Sequence, residues 1–253
     1  MIKLVMPCFC LCCILLAGCG SVDYHRMFQA GSDAVNAARI TDGKVKEMSL
    51  QGVRHSDLMA QVEPENSKNT KRLMKIMAAY KEVNGTPLNY KVYVDPSLNA
   101  FATADGSIRV NSGLMDAMND DEVRFVLGHE IGHVAQGHSL KAARLALATS
   151  AAKNATSALN PTVAQISDLG AGDLARLLLH SQYDQSQELE ADSYGINFLK
   201  SQNRNPNAAI TAMRKLGDSG GGFFDDHPSN QTRISNLQAL KNGADPSTLR
   251  TDK

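Results

Sequence analysis

The chain has 253 residues, and its 26 lysines and arginines balance 26 aspartates and glutamates, for a formal net charge of zero at pH 7. That balance argues against nucleic acid as a partner, and 43% hydrophobic content is ordinary for a globular chain of one large or two small domains. All five cysteines, Cys8, Cys10, Cys12, Cys13 and Cys19, lie at the start of the chain, so the body must hold together without a disulfide, through its core, its helix packing and any bound metal.

Residues 1–18 carry one lysine and then a long apolar run, the pattern of a secretory signal peptide, too short and wrongly flanked for a stable membrane span. The run ends in Leu16-Ala17-Gly18-Cys19, which resembles the lipobox of bacterial lipoproteins. That resemblance implies cleavage before Cys19 and lipidation of Cys19 on its sulfur and new amino group. Gly20 is not the aspartate that typically retains such lipoproteins at the inner membrane, so the expected address is the outer membrane, facing the periplasm. Residues 19–32 read as a small, polar, lipid-anchored tether, and 33–253 as the folded domain. No later apolar run is long enough to span a bilayer.

A helical stretch is predicted from Asp33 to Met59, interrupted by Asp42-Gly43. Glu63-Pro64-Glu65-Asn66 breaks the chain, and Ser67 caps a helix carrying Leu73, Ile76, Met77 and Tyr80 as far as Asn84-Gly85. Tyr90 to Val94 alternates and reads as a strand, and Asn99 to Thr103 and Ser107 to Val110 form two more, joined by the turn signal Asp105-Gly106. This is the only sheet the sequence predicts, and Gly113 to Met118 bridges it to the next helix. A strand there can take an extended peptide by strand addition, which makes Asn99, Ala100, Phe101 and Ala102 candidate substrate-binding residues.

The chemistry centres on His129-Glu130-Ile131-Gly132-His133. Residues four apart share a helix face, so both histidines can point at one cation, and Glu130 sits beside them within reach of a metal-bound water. Asn119 and Glu122 have the spacing of a capping box, Asp120 and Asp121 suit the positive end of the dipole, and Val123, Leu127, Ile131 and Val134 form an apolar stripe facing away from the histidines. Gly128 and Gly132 cost the helix about 1 kcal/mol each relative to alanine, a penalty that makes sense if another backbone or a substrate must come close. A longer zinc motif, with Gly three and His six places beyond the second ligand, is excluded, because Gln136 and Ser139 stand there. His138 is one residue out of register and reads as a cap or surface residue.

After the motif, Lys141 to Leu159 is Ala-rich and helix-forming, Asn160-Pro161 breaks it, and Val163 to Leu179 resumes. Tyr183 to Lys200 reads as a helix that offers Glu188, Glu190 and Asp192 as further metal ligands, which spacing alone leaves unranked. Asn205-Pro206 starts a helix ending at Gly217. The run Ser219-Gly220-Gly221-Gly222-Phe223-Phe224 reads as flexible and leads to His227-Pro228, where Pro228 opens a last helix with Ile234, Leu237 and Leu240 on its buried side. His25, His55 and His180 read as structural.

His129-Glu130-x-x-His133 followed by Glu188-x-x-x-Asp192 resembles the metallopeptidase family of HtpX and the CAAX prenyl proteases. With the lipobox, Asn99-Ala100-Phe101-Ala102 before the motif and His227-Pro228 after it, the chain resembles that family's LoiP/BepA-like periplasmic outer-membrane lipoproteins. The resemblance implies one Zn2+ per chain, held by His129, His133 and Glu188, with Glu130 as general base, Asp192 near the catalytic centre and His227 close to the metal. It implies a mainly α (α+β) fold, a compact zincin-type helical domain with a small β-sheet next to the motif helix. The expected activity is zinc-dependent metalloendopeptidase cleavage of misfolded or envelope proteins in outer-membrane quality control. The alternative is a chaperone or scaffold for outer-membrane protein assembly with little proteolysis, and the complete set of His129, Glu130, His133 and Glu188 favours the enzyme.

Overall fold

The computed structural model describes residues 41–158, 183–218, 223, 227 and 231–249. The signal peptide, Cys19, the tether, the helix expected over 163–179, the glycines of the 219–224 run and Pro228 lie outside the described residues.

Helix α1 spans Asp42–Met59, and Thr41 caps it by accepting from the Lys44 amide. Asp42-Gly43, expected as an interruption, is therefore its first turn, where a carboxylate suits the positive end of the dipole. Helix α2, Lys68–Ile76, is capped by Ser67 as expected, but it ends earlier than the pattern suggested. Asn84-Gly85 is not a helix end. Both residues take positive φ, 48° and 73°, and make the tight turn between β1 (Glu82–Val83) and β2 (Thr86–Pro87), a second small sheet that the sequence reading did not anticipate.

The main sheet has the order β3-β5-β4, with β3 at Asn89–Tyr93, β4 at Ala100–Ala102 and β5 at Ser107–Asn111. Strands β4 and β5 pair antiparallel around the expected turn, whereas β3 lies parallel to β5. The central strand buries every residue, including Arg109. Arg109 donates through Nε and Nη2 to Asp57 of α1 at 2.8 and 3.0 Å, and Asp57 also accepts from Lys91 and Tyr93, so one carboxylate fastens α1 to the sheet.

The helices that follow are α3 (Ser112–Ala117), α4 (Asp120–Ala135), α5 (His138–Ala158), α6 (Gln185–Ser201), α7 (Asn207–Asp218) and α8 (Gln231–Lys241), and a 3-10 turn closes at Pro246–Thr248. Helix α7 takes in Gly217, expected as its stop, and runs one residue past it. Helices α4 and α6 form the central pair, with α7 and α8 packed around them and β4 against α4. Their core holds Phe125, Leu127, Ile131, Ile196, Leu199 and Leu216, each at most 1% exposed.

The two glycines of α4 are explained by α6. A Cβ on Gly132 would lie 2.9 Å from Tyr194 Cβ and 3.2 Å from Ala191 Cα, and one on Gly128 would meet the Phe198 side chain at 2.9 Å. The close partner is therefore a neighbouring helix. The fold is mainly α with small sheets, as expected. Among the described residues no helix is long and apolar enough to cross a membrane.

Candidate metal centre

Helix α4 starts with the capping box the sequence encodes. The Asn119 side chain accepts from the Asp121 and Glu122 amides, and Glu122 accepts from the Asn119 amide. With that start fixed, His129 and His133 emerge on one face, their Nε2 atoms 3.1 Å apart. Helix α6 has its own box, with Asp184 and Gln187 in the reciprocal roles. It crosses α4 so that Glu188 places Oε2 3.5 Å from His129 Nε2 and Oε1 3.5 Å from His133 Nε2. His227 completes the group, with Nδ1 3.3 Å from His129 Nε2 and 3.0 Å from Glu188 Oε1.

Ligand atoms held tetrahedrally around Zn2+ at about 2.0–2.1 Å lie about 3.3–3.4 Å from each other, by simple geometry. One ligand atom from each of His129, His133, Glu188 and His227 lies within 4.8 Å of the others. With Glu188 Oε2 towards His129 and Oε1 towards His133 and His227, the five separations above run from 3.0 to 3.5 Å, a spacing close to that of ligands sharing one such ion. Charge gives a second measure of fit. Among the described residues Glu130, Glu188 and Asp192 are buried together beside Arg233, a concentration of carboxylates that suits a divalent cation.

Tautomers follow from the partners. Asp192 Oδ1 lies 3.0 Å from His129 Nδ1, and a carboxylate only accepts, so that nitrogen carries the proton and His129 Nε2 keeps its lone pair. Burial alone would raise the Asp192 carboxyl, but the Arg233 charge and hydrogen bonds outweigh it and hold the group below its usual value. Burial likewise pushes Glu188 up, against the larger combined pull of His227, Arg233 and the hydrogen bonds from His133 and His227, which leaves it well below the carboxylate range. Burial lowers both His129 and His133 and keeps them neutral, the form that binds metal. His227 is buried too, yet the Glu188 and Glu130 charges outweigh burial and raise it, which marks the same negative field.

Around the ligand atoms, Tyr183 stacks on His133 at 3.7 Å, and Phe223 stacks on His227 at 4.4 Å. His227 is 1% exposed and its Nε2 lies 3.5 Å from Glu130 Oε1, so the imidazole sits between Glu188 and Glu130. Asn99 to Ala102 lie at the sheet edge that packs on α4, with Asn99 O accepting from the Asn111 amide. The Phe223 amide donates to Leu98 O just ahead of that strand.

Of the three acidic residues left unranked by spacing, the fold turns Glu188 and Asp192 inward and leaves Glu190 half exposed at the surface. Two residues escaped the sequence reading. Arg233 donates to both Asp192 oxygens and pairs with Glu188 Oε2 at 2.7 Å, and its only sequence signal was a basic residue on the apolar side of the last helix. His138, read as a cap or surface residue, is instead buried at 6% exposure with Nδ1 3.1 Å from His133 Nδ1. Of the histidines read as structural, His55 lies on α1, away from this cluster, and His25 and His180 fall outside the described residues.

Comparison with known proteins agrees with this site. The model of peptidase family M48 matches residues 64–241, which include every residue of the cluster. The chain is 39% identical over 229 residues to metalloprotease LoiP of Escherichia coli (strain K12), and 38% identical over 232 residues to metalloprotease YcaL of the same organism. Each alignment covers 88% of this chain and 91% of the relative. The mitochondrial metalloendopeptidase OMA1 of Arabidopsis thaliana is 32% identical over 183 residues, 69% of this chain and 36% of that protein.

Proposed function

The chain belongs to peptidase family M48, and from that membership we propose how its site works and where it acts. The protein is a zinc-dependent metalloendopeptidase acting on polypeptides. The observation that carries the detailed reading is the buried convergence of His129, His133, Glu188 and His227, whose ligand atoms lie within 4.8 Å of one another.

In this reading His129, His133 and Glu188 would hold the metal, with the His227 imidazole beside them. The ion supplies Lewis acidity towards a peptide carbonyl and towards water. Glu130, next to the ligand histidines and fully buried, takes the proton from the attacking water and hands it to the leaving amine. Asp192 holds the His129 ring in one tautomer, and Arg233 keeps Asp192 and Glu188 charged and fixed. An extended peptide aligns along β4, beside Asn99, Ala100, Phe101 and Ala102, where backbone pairing grips it without demanding a particular sequence. Entry requires the His227 imidazole to leave its place.

The lipobox supports a lipid anchor on Cys19 at the outer membrane, with misfolded or misassembled envelope proteins as substrates. The test of the mechanism is Glu130→Gln. That variant retains stoichiometric zinc and fold while hydrolysis of casein and of misfolded outer-membrane proteins falls to background, because a base is deleted and no ligand is. Loss of zinc from Glu130→Gln, or stoichiometric tight zinc in Glu188→Ala, would reject the assignment.

A further inference from the structure

Helix α4 ends at Ala135, and α5 begins at His138. In one continuous helix residues five apart point about 140° away from each other, so His138 could not face His133. The break at Gln136-Gly137 changes that. Gly137 adopts φ +74°, the left-handed conformation natural to glycine, and the chain turns back so that the His138 ring lies beneath His133. The two Nδ1 atoms are 3.1 Å apart, and His138 Nε2 is 3.1 Å from Glu190 Oε2.

Only one proton arrangement satisfies all three groups when His138 is neutral. The Glu190 carboxylate accepts, so His138 Nε2 carries the proton and donates. His138 Nδ1 then presents a lone pair, and His133 Nδ1 must donate to it. That leaves His133 Nε2 bare and directed at the cluster of ligand atoms, the state a metal requires. We infer that His138, itself set by Glu190, is a positioning residue that fixes the tautomer and ring orientation of His133, as Asp192 does for His129.

The two arms differ in their exposure. Asp192 is 0% exposed and clamped by Arg233, whereas the Glu190 side chain is 52% exposed and lines a surface cavity of about 880 Å3 with Gln136 and Tyr194. His133 is therefore held through two hydrogen bonds that end at a solvent-facing carboxylate. Stacking by Tyr183 fixes the plane of the His133 ring but would also accept the ring turned by 180° about Cβ–Cγ, and the Nδ1 contact with His138 selects between the two.

This inference rests on His133 being a zinc ligand, so the experiment carries a control for that reading. Zinc affinity of the purified full chain is measured by competition with a chelator of known affinity, alongside the melting temperature of the metal-free protein. His138→Ala weakens zinc binding by about 10–100-fold, the range for partners of ligand histidines. His138→Asn recovers most of that loss, because its amide oxygen replaces the Nδ1 acceptor. Glu190→Ala, at a half-exposed position that does not threaten folding, weakens zinc by about 10-fold, the low end of the same range, with the metal-free melting temperature unchanged. Wild-type affinity in His138→Ala, or in Glu190→Ala should the former not fold, overturns the inference, as does an asparagine variant no tighter than the alanine one. His133→Ala separates the two levels. If it keeps tight zinc, the ligand reading fails; if it loses zinc while His138→Ala does not, only the positioning role fails.

Discussion

Replacing Gly132 by alanine tests whether the α4–α6 contact sets the metal geometry. In an open helix the change stabilises by about 1 kcal/mol. Here the new Cβ would sit 2.9 Å from Tyr194 Cβ and 3.2 Å from Ala191 Cα, atoms fixed to the α6 backbone that no side-chain rotation can move. Comfortable carbon contacts begin at about 3.5–4.0 Å, so α6 must retreat by roughly 0.5–1 Å. Overpacking of this kind costs about 1–3 kcal/mol, which after the helix gain leaves the metal-free variant about 0–2 kcal/mol less stable. The functional effect is larger. Glu188 and Asp192 ride on the same helix within one turn of Ala191, and metal sites tolerate errors of only about 0.2 Å in ligand position. Zinc affinity is expected to fall at least about 10-fold, with peptidase activity falling alongside it. Urea denaturation of the metal-free protein and chelator competition measure the two effects separately. Gly43→Ala is the control, since nothing lies within 4 Å of its Cβ, and it should leave zinc affinity untouched. A Gly132→Ala protein that is more stable by about 1 kcal/mol and keeps wild-type zinc affinity would refute the reasoning.

His227→Ala is expected to retain zinc through His129, His133 and Glu188 and to raise basal hydrolysis of a short peptide, because it removes the imidazole that lies against two of those residues; a lower kcat with unchanged zinc would instead assign it to carbonyl activation. Asp57→Asn should cost about 3 kcal/mol at pH 7, since it leaves the buried Arg109 without its anion. Burial raises the Asp57 carboxyl, but the hydrogen bonds from Arg109, Lys91 and Tyr93 together hold it below its usual value. Its folded pKa is thus depressed, so the stabilisation is complete above the unfolded value of about 3.9 and is lost as pH falls through the lower folded value. The gap between wild type and variant in urea denaturation should therefore stay constant from pH 7 to pH 5 and close only below about pH 4; closure between pH 7 and 5 would point to another group. Cys19→Ala should release the protein from the membrane fraction, and wild-type banding with the inner membrane on a density gradient would reject the outer-membrane address.

Local chemistry is what the sequence by itself determined. The Asn119 and Ser67 caps, the helix carrying His129, Glu130 and His133, the strands about the Asp105-Gly106 turn and the helix carrying Glu188 depend on residues a few places apart, and such interactions are written in the chain order. Asn84-Gly85 belongs to the same class. Its turn chemistry was legible, but the strands beside it are two residues each, too short to show an alternating pattern.

What only the tertiary structure decided involves groups far apart in sequence. Glu188, Glu190 and Asp192 look equivalent by spacing, and the crossing of α4 and α6 at Gly132 and Ala191 turns two of them inward and one out. Arg233 is 41 residues beyond Asp192 and 45 beyond Glu188, and it is needed only because the fold buries those carboxylates together. His138 was read as a cap or surface residue because it stands one place out of register with the longer zinc motif, and only the left-handed turn at Gly137 brings it onto His133. The parallel pairing of β3 with β5 has the same origin, since neither strand carries a mark of its partner. Burial creates these needs, and burial is a property of the folded molecule that no stretch of sequence possesses alone.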